Sequence, residues 1–139
     1  MSRIRSVKPE FFKSEQVVNC SIPARLLFIG LWNIVDDAGR YERRPKQIKM
    51  EVFPYDDVSE DDMRKMLDEL EKNGLIAFYE VAGAKYLRVI GWRSSETPVS
   101  AWAQRIDKPQ PPRYPSPPEP ALKPGLPQNE IRDPYDIAF

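Results

Sequence analysis

The apolar and polar positions of this chain change period several times, and each change marks an element. Residues 22–37 are apolar on most sides: Leu26, Leu27, Ile29, Leu31, Trp32, Ile34 and Val35 leave room for few polar groups. Such a stretch predicts a central helix buried all round. Ser21 can cap its start, Pro23 stands in the first turn where a missing N–H does no harm, and Gly39 follows its end. Residues 59–73 have one apolar stripe instead, made by Met63, Met66, Leu67 and Leu70. That spacing predicts an amphipathic helix with Ser59 and Asp62 as a capping box and Asn73-Gly74 as its stop. Between the two helices lies a basic stretch, residues 40–49, which should hold a short strand and a second helix. Residues 75–81 and 85–90 are rich in β-branched and aromatic residues, with Ala82-Gly83 between them, and predict a hairpin.

Helix, short strand, helix, helix, hairpin is the order of a winged helix-turn-helix. The expected class is therefore α+β: three main helices plus a β-hairpin wing, then a Pro-rich disordered tail. The tail follows from composition, because ten of the fifteen prolines lie from Pro109 onward and large apolar residues nearly vanish there. The expected organisation is a basic arm with a short helix over residues 1–21, the winged-helix domain over 22–106, a linker over 107–129 and an acidic tip over 130–139.

Net charge is zero, but the charges are not evenly spread. Residues 1–49 carry ten basic and five acidic groups, while residues 50–80 carry three basic and ten acidic groups. There is no histidine and one cysteine, which removes Ser-His-Asp and Cys-His triads, zinc fingers and internal disulfides. No cofactor is implied, and the expectation is a non-enzymatic protein of a bacterial host cytoplasm with no membrane partner. Cys20 reads as a small buried hydrophobe. Asp36 and Asp37 close the first helix. They want cationic partners, Arg25, Arg40 or the arm; a metal-dependent nuclease is the alternative that they could serve.

The third helix of a winged helix usually enters the DNA major groove. Here it carries Glu60, Asp61, Asp62, Asp68, Glu69 and Glu71 against Arg64, Lys65 and Lys72, and phosphates would repel it. The basic groups lie elsewhere: Arg3, Arg5 and Lys8 in the arm, then Arg40, Arg43, Arg44, Lys46 and Lys49, then Lys85 and Arg88 on the wing. Tyr41, Trp92 and Trp102 lie near them, and the two tryptophans are expected to be exposed. Cations that track a backbone and rings that stack on bases suit single-stranded DNA. A solvated basic face that balances the acidic helix is the alternative.

Several blocks resemble those of phage and prophage proteins. They are Arg3-Ile4-Arg5-Ser6-Val7-Lys8-Pro9-Glu10-Phe11-Phe12, Ala24-Arg25-Leu26-Leu27-Phe28-Ile29-Gly30-Leu31-Trp32 and Asp36-Asp37-Ala38-Gly39-Arg40. Pro45-Lys46 through Met50 to Phe53-Pro54, and Gln104-Arg105-Ile106-Asp107-Lys108-Pro109, complete the set. Together they resemble the N-terminal domain of phage replisome organisers and related primosomal proteins. The resemblance spans about residues 3–112 and implies a winged helix and a role in replication initiation. Ala103 stands where many relatives have histidine, and the long domain with which full replisome organisers reach a helicase has no counterpart in this sequence.

The last residues, Arg132-Asp133-Pro134-Tyr135-Asp136-Ile137-Ala138-Phe139, resemble the acidic tip of bacterial single-stranded DNA-binding proteins. That resemblance implies host replication or repair proteins as partners, held through Asp133, Asp136, Ile137 and Phe139. The rival function is a protein–protein adaptor, an oligomerisation module, or a phage inhibitor of a host machinery, with no contact to DNA. A homo-oligomer is compatible with either.

Overall fold

The computed structural model describes residues 2–118. Two short helical pieces open the chain, a 3₁₀ turn over Pro9–Lys13 and α1 over Glu15–Val18. They are followed by α2 (Ile22–Ile34), β1 (Arg40–Glu42), α3 (Pro45–Val52), α4 (Glu60–Lys72), β2 (Ile76–Val81) and β3 (Ala84–Val89). The class is α+β, with four α-helices and one antiparallel sheet of three strands, in the order β1-β3-β2, among the described residues.

Each main helix starts as its local sequence dictates. The Ser21 hydroxyl accepts from the N–H of Ala24 at the start of α2. Ser59 and Asp62 exchange both bonds of a capping box at the start of α4. The end of α2 comes three residues before Asp37, earlier than the apolar run suggests. Val35 is already extended (φ −67°, ψ 156°), and Asp36 turns its Oδ1 back onto the N–H groups of Ala38 and Arg40. This side-chain turn takes over from the helix ladder. Gly39 follows at φ +81°, where a Cβ would stand 2.7 Å from Cγ of Trp92.

The core gathers Leu27, Phe28, Leu31 and Trp32 of α2 with Ile48, Met63, Leu67, Leu70, Leu87 and Val89. Phe11 joins it from the first turn, with its ring 5.2 Å edge-on to Trp32 and 6.1 Å from Phe28. Cys20 is 2 % exposed, and burial raises the pKa of its thiol, so it packs as a small apolar group. The stripe of α4 is buried as its spacing requires, and the acids face outward or cap: Glu69 bonds the backbone and hydroxyl of Ser21, while Glu60 and Asp61 pair with Arg64 and Lys65.

The chain does not leave the body after Ile106. Gln110 donates its N–H to Asp37 at 2.8 Å, and Arg113 donates its own to Asp36 at 2.9 Å. The carbonyls of Tyr114 and Pro115 accept from Arg40 and Tyr79. The expected linker over residues 107–129 thus begins as a strap along the body. A segment poor in apolar residues docks here because backbone groups, not side-chain burial, make most of its bonds. The proposed tip residues Asp133, Asp136, Ile137 and Phe139 lie outside the described residues.

Candidate nucleic-acid interface

The basic residues singled out in the sequence divide into two sets, and burial makes the division. Asp36 and Asp37, 7 % and 3 % exposed, draw the first set inward. Arg5 bonds Oδ1 of Asp37 at 3.2 Å and also donates to the carbonyls of Trp32, Val35 and Asp36. Its guanidinium lies 4.9 Å from the centre of the Trp92 ring. Burial lowers the Arg5 pKa, and the bond to Asp37 opposes that shift. Arg3 reaches the other oxygen of Asp37 at 3.2 Å. The arm is therefore the cationic partner of Asp37, and Arg25 instead donates to the carbonyls of Val18 and Cys20. Lys8 gives its ammonium to the carbonyl of Ser100 at 2.8 Å.

Four further candidates are buried. Arg40 and Arg88 are 2 % and 6 % exposed and stand opposite one another in the β1–β3 register. Trp92 and Trp102 are 0 % and 3 % exposed, against the expectation of exposed rings. Their indole N–H groups donate to the carbonyls of Asp37 and Ile90, at 3.1 and 2.6 Å. Residues 90–106 fold back on the body, held by a bridge between Arg93 and Gln104. A ring sealed on both faces cannot stack on a base, so these tryptophans are structural.

The second set stays at the surface. Arg43, at the end of β1, donates its N–H to the carbonyl of Lys85 at 3.0 Å. Its guanidinium covers the Phe78 ring at 4.4 Å from the centroid. Arg44 and Lys46 flank Pro45 at the start of α3, and they, with Lys85, are exposed. One edge of the fold thus brings together Arg43, Arg44, Lys46 and Lys85. Glu42 tempers it through an exposed pair with Arg44 at 3.2 Å, an interaction worth about 0.2–1 kcal/mol. Lys49 points elsewhere: its ammonium bonds the carbonyl of Phe53 and closes the C-terminal end of α3.

No family model, curated protein or solved structure matches this chain.

Function must then be read from geometry. Among the described residues no helix is long and apolar enough to cross a membrane, and no group of three or more cysteine or carboxylate side chains is placed to hold a metal. The oxygens of Asp36 and Asp37 each already accept an N–H.

Sequence reasoning missed an aromatic group on the sheet. Tyr79 and Tyr86 stack at 5.4 Å across the hairpin, and Tyr114 of the strap lies 5.7 Å from Tyr41 and 6.2 Å from Tyr86. Burial drives the Tyr79 phenol up to about 12 and also raises the pKa values of Tyr41 and Tyr114. Alternation along β2 and β3 could have placed Tyr79 and Tyr86 on one face; nothing local signals that Tyr114 would join them. Gln104 was likewise read only as part of a block. It is 3 % exposed and clamps the arm: its side chain exchanges two bonds with the backbone of Ser6.

Proposed function

We propose that this chain is a winged helix-turn-helix protein of phage or prophage type that binds single-stranded DNA during replication without catalysing a reaction. The order of elements supports the fold. Three helices, α2, α3 and α4, alternate with β1 and the β2–β3 hairpin as that architecture requires, and β1 pairs with the hairpin through β3.

The observation that carries the ligand is the bond from Arg43 to the carbonyl of Lys85, which sets the basic start of α3 against the wing. Arg43, Arg44, Lys46 and Lys85 then form one cationic edge, with Phe78 beneath Arg43. A flexible phosphate backbone can follow such an edge. A duplex major groove would have to receive α4, whose first turn carries Glu60, Asp61 and Asp62. Arg3, Arg5, Lys8, Arg40, Arg88, Trp92 and Trp102 leave the interface, since each is tied into the body. The C-terminal tip, through Asp133, Asp136, Ile137 and Phe139, would recruit host replication or repair proteins.

A second reading has its own support. Ile22 and Leu26, four residues apart on α2, are 74 % and 55 % exposed, which suits a protein partner on that helix. Titration of labelled random single strands and random duplexes separates the two. The proposal expects tighter binding of the single strand, lost on replacing Arg43 and Arg44; an adaptor would bind neither.

A further inference from the structure

The outer face of the sheet is covered by the strap through three kinds of contact. The carbonyl of Tyr114 accepts from Nη1 of Arg40 at 3.2 Å, and the carbonyl of Pro115 accepts from the Tyr79 hydroxyl at 2.8 Å. The N–H of Arg113 donates to Oδ2 of Asp36 at 2.9 Å. The Tyr114 ring sits beside Tyr41 and Tyr86. One flat ring, carbonyl acceptors and an N–H donor are also what an unpaired nucleobase presents, if its edge carries a carbonyl beside a ring N–H.

The apolar core makes no use of this strap. Its members end at Trp102, and the partly buried side chains packed on it end at Ile106. The strap is held instead by a few hydrogen bonds, made by its backbone groups, and by one half-buried ring. It can leave without opening the fold.

We infer that the face formed by Arg40, Asp36, Tyr79 and Tyr86 is a nucleobase-binding platform, and that residues 110–115 occupy it as an internal competitor. A single strand running from the Arg43–Lys85 edge would displace the strap. Its base would then stack where Tyr114 lies, donate to Asp36, and accept from Arg40 and Tyr79. This inference rests on the proposed single-strand binding, and its test keeps the two apart.

The full chain is titrated with a labelled thymine homopolymer, as the native protein and as two strap variants. Tyr114→Ala removes the competing ring. Arg113→Pro removes the N–H bonded to Asp36 and leaves every tyrosine in place. Both should bind about tenfold more tightly than the native chain, because the apparent constant scales with the fraction of molecules whose platform is open. For Arg113→Pro this gain runs against the loss of a positive charge, so simple electrostatics predicts the opposite sign. Adding Tyr86→Ala to Arg113→Pro should abolish the gain. If the native chain binds through Arg43 and Arg44 and neither strap variant binds more tightly, the platform is wrong and the edge stands. If the strap variants bind and the native chain does not, the platform stands without the edge. Failure of all three to bind would overturn both, and a gain that survives Tyr86→Ala would overturn the platform.

Discussion

The N–H of Arg113 and the carboxylate of Asp36 lie 2.9 Å apart although 77 positions separate them in the chain. Through this bond an acid that closes the first long helix also fixes the segment beyond the domain core. The other oxygen of Asp36 holds the N–H groups of Ala38 and Arg40. Asp36→Ala leaves all three donors without that acceptor and should destabilise the fold by about 3 kcal/mol, with Asp36→Asn intermediate. Urea denaturation measures both, and an alanine variant as stable as the native chain would remove Asp36 from this role.

The strap also predicts a response to base. Burial holds the Tyr79 phenol at about 12, against an ordinary value of 10.0. A group whose pKa is raised by folding binds its proton more tightly in the folded state. Its contribution is therefore complete below pH 10 and is lost as pH rises through about 12. Spectroscopic titration of the phenols should show Tyr79 as the last to ionise, beyond the also raised Tyr41 and Tyr114, and Tyr79→Phe should remove that last step and no earlier one.

The tryptophans should be silent towards DNA. Trp32, Trp92 and Trp102 are 1 %, 0 % and 3 % exposed, so an oligonucleotide that binds should leave their emission nearly unchanged. Strong quenching would mean that residues 90–106 open on binding. Trp32→Ala should cost about 3–5 kcal/mol. Trp32→Phe should cost much less, because the buried Nε1 of Trp32 has no hydrogen-bond partner to lose.

One position in the hairpin is improvable. Ala82 and Gly83 form a two-residue turn with φ values of 52° and 82°. Glycine takes that conformation freely, whereas alanine pays about 1–2 kcal/mol. Ala82→Asn should raise the melting temperature, with the hairpin register Val81↔Ala84 unchanged. A fall in melting temperature would contradict this account of the turn.

Periodicity made α2, α4 and the hairpin legible, and short-range chemistry made the caps at Ser21 and Ser59 legible, because each depends on neighbours a few residues away. The end of α2 was not, since Val35 continues the apolar pattern while the Asp36 side chain breaks the helix. Arg40 reads as a surface cation for a similar reason: its guanidinium meets the carbonyl of Tyr114, 74 positions further on. Arg43, Arg44, Lys46 and Lys85 survive as surface groups because the edge that they form lies away from the strap. Over residues 110–118 no side chain is fully buried, in keeping with the proline content. That content could not reveal that backbone N–H and C=O groups would dock the first part of that segment.

The central claim is that Arg43, Arg44, Lys46 and Lys85 hold the phosphates of a single strand. Its most direct test is the salt dependence of binding to a random single strand, for the native chain and for a variant with Arg43→Ala and Arg44→Ala. Each phosphate contact should contribute a slope of about −0.7 in log K against log salt. The native chain should show a steep slope, and the double variant should bind more weakly with a slope shallower by roughly 1.4. Equal affinity and equal slope for the two proteins would contradict the account.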